Sequence, residues 1–303
     1  DMKSGNFLTA FRWNHVYGNK MFGNFTASFT KYRYFTKGEI KETEDNETVY
    51  KLENSISSEI YDLGIKYELE YSVFNFYKIC IGADLINHLF KPATIDYSEF
   101  KSDPPINSDT TYISQKFNSY ETDAYIENQI EISDFFTANL GFRENIYSVN
   151  NKKFIFHQPR IILNTIINKN FSVRASYAVI NQNIHLMNFS SEGFFSSIWV
   201  PATDICSPEI AEHYAFAVET FLFKKYNFET EIFYKKMNNL IEFATGSFWS
   251  NAASWEEKSE KNGTGESYGV EIFVNKKYGK ITGWVGYTYS KTTRQFENIN
   301  SGK

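Results

Sequence analysis

Between Ser58 and Tyr71 the chain alternates strictly. Tyr61, Leu63, Ile65, Tyr67, Leu69 and Tyr71 hold one set of alternate positions, and Asp62, Gly64, Lys66, Glu68 and Glu70 hold the other. A period of two puts the two sets on opposite faces of a strand, whereas a helix would mix them. Runs of about ten or more residues with this pattern recur down the chain, joined alternately by short turns and long loops. Strands with one apolar and one polar face at that length predict an antiparallel transmembrane β-barrel. A soluble β-sandwich rich in aromatics is the competing architecture, but its strands usually run to about five or six residues.

Composition is compatible with the barrel. Mean hydropathy is −0.43, which a plot built for helical spans would score as polar. Barrel strands are half polar because one face lines a wet lumen. No apolar run reaches the roughly 18 residues that a helical span requires. Aromatic residues make up 18% of the chain, with 29 Phe and 21 Tyr, which suits the aromatic girdles at two membrane interfaces. The net charge of −5 argues against a nucleic-acid partner. Cys80 and Cys206 are too few and too far apart for a disulfide framework. The start, Asp1-Met2-Lys3-Ser4-Gly5, leads straight into a strand without a signal peptide, so the expectation is an internal piece of a longer protein.

The pattern predicts about twelve strands: Asn6–Tyr17, Met21–Phe35, Ile56–Ser72, Phe76–Leu89, Tyr120–Ile132, Phe136–Tyr147, Phe154–Ile167, Phe171–Leu186, Ala211–Phe223, Phe228–Phe243, Glu266–Asn275 and Lys280–Thr293. Gly, Asn, Asp and Lys at the short connections fit tight hairpin turns. The connections Thr36–Ser55, Phe90–Ser119, Met187–Ile210 and Ala244–Gly265 are expected to be long loops, and only Ser148–Lys153 breaks that trend. Strict alternation puts all the short turns on one side, periplasmic in an outer-membrane barrel, and the long loops outside. Charged strand residues are expected to face the lumen.

Several segments then match a known family in order and spacing. Gly263-Thr264-Gly265-Glu266-Ser267-Tyr268-Gly269-Val270-Glu271 resembles the hairpin entry of TonB-dependent outer-membrane receptors of the Bacteroidetes type. Gly279 to Lys291, with its Thr282-Gly283-Trp284 and Tyr287-Thr288-Tyr289-Ser290 portions, is similar to that family's following strand, and Phe296-Glu297-Asn298-Ile299-Asn300 to the tail after it. Leu140-Gly141-Phe142-Arg143, Gln158-Pro159-Arg160, Ala175-Ser176-Tyr177, Gln182-Asn183-Ile184-His185-Leu186, Trp199-Val200-Pro201, Ser207-Pro208-Glu209 and Ala211-Glu212-His213-Tyr214 resemble its central strands. The resemblance covers the chain from about Tyr120 onward and is looser before it. It implies part of a barrel of twenty-two strands around an N-terminal plug. A periplasmic TonB protein would pull on that plug to admit a solute. The chain shows no plug, no TonB-contacting segment and no terminal aromatic strand, so it is expected to be the middle of such a receptor, residues 1–303 forming a partial barrel domain. The solute stays open among siderophore, oligosaccharide, peptide and cobalamin, and an extracellular lipoprotein lid is a further partner to consider.

No catalytic or metal constellation emerges. The histidines His15, His88, His157, His185 and His213 are scattered, and there is no HExxH, CxxC or Walker-type loop. An outer-membrane hydrolase would need a Ser–His pair that the sequence does not single out. The acidic runs Glu39–Glu47 and Glu256–Glu260 lack calcium-loop order and read as solvated loops. No cofactor and no enzymatic activity are expected. Candidate solute contacts are the loop aromatics Phe194, Phe195, Trp199, Trp249 and Trp255, weighed against a role in packing the loops together. Arg143, Arg160, Arg174 and Glu68 are candidates for the lumen wall, where they would touch the plug or an anionic solute. A passive porin or adhesin-like barrel is the alternative function.

Overall fold

The computed structural model describes residues 1–45, 47–191, 194–223, 225–244 and 255–302, without the side chains of residues 189–191, 194–196 and 301. The strands are β1 Met2–Gly18, β2 Met21–Glu44, β3 Glu47–Phe74, β4 Tyr77–Lys101, β5 Ile106–Ile113, β6 Phe117–Ser133, β7 Phe136–Val149, β8 Lys152–Asn168 and β9 Phe171–Gln182. They continue as β10 Ile184–Ser191, β11 Phe194–Pro201, β12 Glu209–Leu222, β13 Tyr226–Phe243, β14 Ser259–Lys276 and β15 Gly283–Gln295. Thirteen of them form one antiparallel sheet, twelve in the order β1-β2-β3-β4-β6-β7-β8-β9-β12-β13-β14-β15 and β5 paired with β4. Sequence neighbours pair throughout, apart from the steps that skip β5 and the β10–β11 hairpin. The sheet is open, with β1 and β15 at its two ends.

The register fixes two faces. Leu63, Ile65, Ile81 and Ile126 share one of them and are well exposed, Leu63 at 61%. The opposite face holds Asp123, Asn145 and Gln158, all buried. The sheet is thus apolar where it is open and polar where side chains crowd together, the reverse of a soluble core. A sheet curled with its polar face inward produces this arrangement, as the alternation at Ser58–Tyr71 predicts. The antiparallel order also puts every connection of one sense at the same edge. Asn150 and Asn151 make a short turn between β7 and β8 at the long-loop edge, as expected of Ser148–Lys153.

The long loops are the main correction. Thr36–Ser55 is a hairpin, not a loop: β2 and β3 stay paired from Thr36↔Ile56 to Glu44↔Glu47. Within Phe90–Ser119, β4 runs on to Lys101 and β5 folds back on it. Within Met187–Ile210, β10 and β11 form a separate two-stranded sheet, so the strand expected to reach Leu186 ends at Gln182. Above the lipid both faces of a strand are wet, so nothing enforces alternation there. One ion pair crosses between β2 and β3 there, and one runs along β3. Lys37 and Lys51 hold Glu53 at 2.7 and 3.2 Å, and their hydrogen bonds, Lys37's foremost, keep its carboxyl below the usual range.

Close approach explains one glycine of the Gly263–Glu271 motif. A Cβ on Gly269 would stand 2.4 Å from the Tyr289 carbonyl oxygen of β15 and 2.9 Å from the Phe233 ring of β13. The position therefore admits no side chain between its two neighbours.

Ile65 lies midway along the apolar stretch of β3. Ile65→Arg is expected to destabilise the barrel by about 2–4 kcal/mol, as an arginine at the bilayer midplane does. Thr43→Arg, high on the protruding hairpin, should change stability by no more than about 0.5 kcal/mol. Urea unfolding in lipid vesicles checks both.

Candidate functional site on the inner polar face

Register stacks the polar face of β3–β8 into rows. One row runs Glu68, Gly82, Tyr125, Arg143, Gln158, and the row below it runs Glu70, Cys80, Glu127, Gly141, Arg160. The row above runs Lys66, Asp84, Asp123, Asn145. Residues far apart in sequence therefore meet because twelve strands hold one register, not because any loop brings them together.

Three of the expected wall residues meet here. The Tyr125 hydroxyl donates to Glu68, which Lys66 also pairs at 3.0 Å. The Arg143 guanidinium lies 5.0 Å from the centre of the Tyr125 ring and 3.8 Å from the Asp123 carboxylate. Arg160 walls a hollow of about 520 Å³ with Glu68, Glu70, Cys80, Glu127 and Gln129. Arg174 stands apart, further round the sheet, donating from Nε to Asn164 at 3.0 Å. Among the residues that line the hollow, the carboxylates Glu68, Glu70 and Glu127 stand with the cations Arg160 and Lys78.

Towards the long-loop edge lies an amide and carboxylate network that sequence reading missed. Asn145 donates to Glu121 at 2.9 Å and to Asp123 at 2.8 Å. Its own oxygen accepts from Asn181 and Asn183 at 2.9 and 3.2 Å. Gln158 donates to Asn181. His88 sits 2.7 Å from Asp62 and 3.6 Å from Glu121. The pattern Asn181-Gln182-Asn183 was the available signal. Its meaning depends on pairing with a strand whose Asn145 lies 36 residues away.

Above the network the β10–β11 hairpin folds onto the sheet and closes an apolar cluster. Met187, Ile198 and Val200 of the hairpin join Ile60, Phe90, Phe117, Tyr147 and Trp255. The Tyr147 hydroxyl donates to the Ala202 carbonyl at 3.1 Å, tying the hairpin's exit to β7. Cys206 is buried in the same cluster, and burial pushes its thiol up to about 12, so it stays protonated.

This placement corrects the expectation for Trp255. Trp255 is 1% exposed and packs edge-on against Phe117, ring centres 6.5 Å apart, leaving no face for a solute. Trp199 is half-buried against the cluster. Phe194 and Phe195 lie on the backbone of β11, paired with Ser191 and Ser190, with their side chains outside the described residues. Trp249 lies wholly outside the described residues. Among the described residues no group of three His, Cys, Asp or Glu side chains is placed to hold a metal ion.

A family model described as "TonB dependent receptor-like, beta-barrel" matches residues 3–303. A comparison with curated proteins finds no match. Among solved structures the chain is similar to the pyoverdine outer-membrane receptor FpvA of Pseudomonas aeruginosa PAO1, with a TM-score of 0.66 and 13% identity over 100% of this chain and 45% of that one. It is similar to the ferric-catecholate import receptor Fiu of E. coli K12, with a TM-score of 0.62 and 12% identity over 98% of this chain and 48% of that one. It is also similar to the RagAB peptide transporter, with a TM-score of 0.61 and 11% identity over 100% of this chain and 37% of that one. In each case the chain spans less than half of the other's length.

Asn145 is the network's hub, 1% exposed. Asn145→Ala leaves Glu121, Asp123, Asn181 and Asn183 each short of a partner and is expected to cost about 2–4 kcal/mol. Gly82→Val should displace the Tyr125 ring, which a Cβ there would meet at 2.2 Å, and free Glu68. Unfolding in vesicles reads the first, and tyrosine fluorescence reads the second.

Proposed function

The chain belongs to the TonB-dependent receptor-like β-barrel family, and from that premise we propose that it is the larger part of a receptor barrel that captures a scarce solute outside the cell and imports it past a plug domain with energy delivered by TonB. Barrels of this family are multi-pass proteins of the bacterial outer membrane, and so is this one. The observation that carries the proposal is the family match along residues 3–303 on a sheet whose apolar face is open and whose inner face is polar. Further strands of the whole protein join β1 and β15, because an unpaired strand edge cannot face lipid. They complete a barrel of about twenty-two strands.

In this reading the inner face is the plug's seat. Glu68, Arg143 and Arg160 present fixed charges to it, and Arg174 extends the wall. The protruding β2–β3 and β4–β5 hairpins, with the β10–β11 hairpin beside them, form the outer vestibule where solute is first held. Of the similar proteins, one is an import receptor for ferric catecholate, one binds pyoverdine and one transports peptides. A solute of one of these classes is a reasonable first panel for this chain. The family premise, together with an inner face dense in paired charges, favours a plugged receptor over a passive pore.

Glu68→Lys is expected to reduce uptake of the cognate solute at least about tenfold while leaving assembly in the outer membrane unchanged, since the position faces away from lipid. Uptake by cells expressing the full-length protein, with and without a proton-gradient uncoupler, tests the proposal. Uptake that persists with the uncoupler or without TonB would identify a passive pore instead.

A further inference from the structure

On β2–β4 the apolar outer face ends in charge. The outward residues of β2 run Phe25, Ala27, Phe29, then Lys31 and Arg33; those of β3 run Ile65, Leu63, Tyr61, then Glu59. On β4 they run Leu85, Asn87, Leu89, then Lys91. Register puts Lys31 opposite Tyr61 and sets Glu59 between Arg33 and Lys91. From Met21 at the short turn, β2 climbs ten residues to Lys31. At about 3.3 Å per residue and a tilt of about 40° this is about 25 Å, the height of the apolar band of a membrane barrel. The charges therefore stand at the outer-leaflet interface, on the side that faces lipid and not on the side that faces the lumen.

Three cations surround one carboxylate. Arg33 Nε and Lys91 Nζ each donate to Glu59 at 3.0 Å, and Lys31 Nζ lies 3.6 Å away. The Tyr61 hydroxyl donates to Glu59 at 2.9 Å. Lys31 and Lys91 also bracket the Tyr61 ring, at 4.8 and 5.0 Å from its centre. Glu59 gathers the three side chains but neutralises only one of them. The Arg33 side chain stays 61% exposed and walls a hollow of about 520 Å³ with Lys3, Gly5, Phe35 and Glu59.

The excess of positive charge is local. Higher on the same face Lys37, Lys41 and Lys51 are matched by Glu39, Glu53 and Asp96. On the outer face of β12–β14, Tyr214 donates to Glu212 and Tyr234 to Glu266, both at 3.0 Å, and register sets the single Lys236 between the two carboxylates. The chain as a whole carries −5. A cationic cluster in that setting needs a local reason.

We propose that Lys31, Arg33 and Lys91 bind a headgroup phosphate of the outer-leaflet lipid, lipopolysaccharide, whose acyl chains lie along Phe29, Leu63, Ile65 and Leu85 below. Charge complementarity and height argue for this occupant. Phosphates of that lipid ring the barrel at this level, and the apolar strip beneath the cations fits the attached chains. Holding the cations together through Glu59 lowers the ordering cost of binding. The proposal depends on the outer-membrane placement and is independent of which solute is imported.

The test uses the full-length protein in non-ionic detergent, titrated with bisphosphorylated lipid A and followed by native mass spectrometry. The K31Q/R33Q/K91Q variant is expected to bind about tenfold more weakly or worse, and K37Q/K51Q to bind as the unmodified protein does. Dephosphorylated lipid A should bind the unmodified protein at least as weakly. Equal binding of the two lipids overturns the proposal, and this comparison needs no variant to fold. Displacement of bound lipid A by millimolar inorganic phosphate also overturns it, making the cluster a site for free phosphate.

Discussion

Lipid offers a backbone no hydrogen-bond partner, so every strand crossing it must be paired on both sides. That requirement determines the rest of the molecule. Strands must run antiparallel with short returns, and within the lipid-crossing span one face must be apolar while the other takes the charges. The twelve-strand order follows, and so does the register that brings Glu68 to Tyr125 and Asn145 to Asn181. The inner polar face is the place where the sheet can keep its ionisable groups.

Once the charges are confined there, they organise by height. The lower inner wall is a charged hollow where Glu68, Glu70 and Glu127 meet Arg160 and Lys78. Above it amides bridge carboxylates through Asn145, and above that the β10–β11 hairpin caps the face with an apolar cluster around Trp255. The outer face has its own layers, with an apolar belt, tyrosines donating to glutamates at its upper edge, and one cationic cluster on β2–β4.

The membrane-crossing part was legible because lipid enforces a period of two on the sequence. Ser58–Tyr71 could be faced residue by residue, and Glu68, Arg143 and Arg160 could be named as candidates for the lumen wall, though not brought together. Above the lipid the enforcement ends. Thr36–Ser55 alternates polar with polar, so it read as a loop although it is a paired hairpin. Trp255 could be read either as a solute contact or as loop packing, because sequence does not record that Phe117 would cover it. Asn145 was invisible as a hub because its partners come from β6 and β9, and pairing distant strands takes the register of the whole sheet.

The central claim is that alternate residues of each long strand face lipid and an aqueous interior. Nitroxide labels placed singly from Tyr61 to Tyr71, in the protein reconstituted in bilayers, measure this directly through their collisions with oxygen and with a water-soluble nickel chelate. Odd positions should be open to oxygen and shielded from nickel, with even positions the reverse or occluded. Nickel access along both sets would contradict the account.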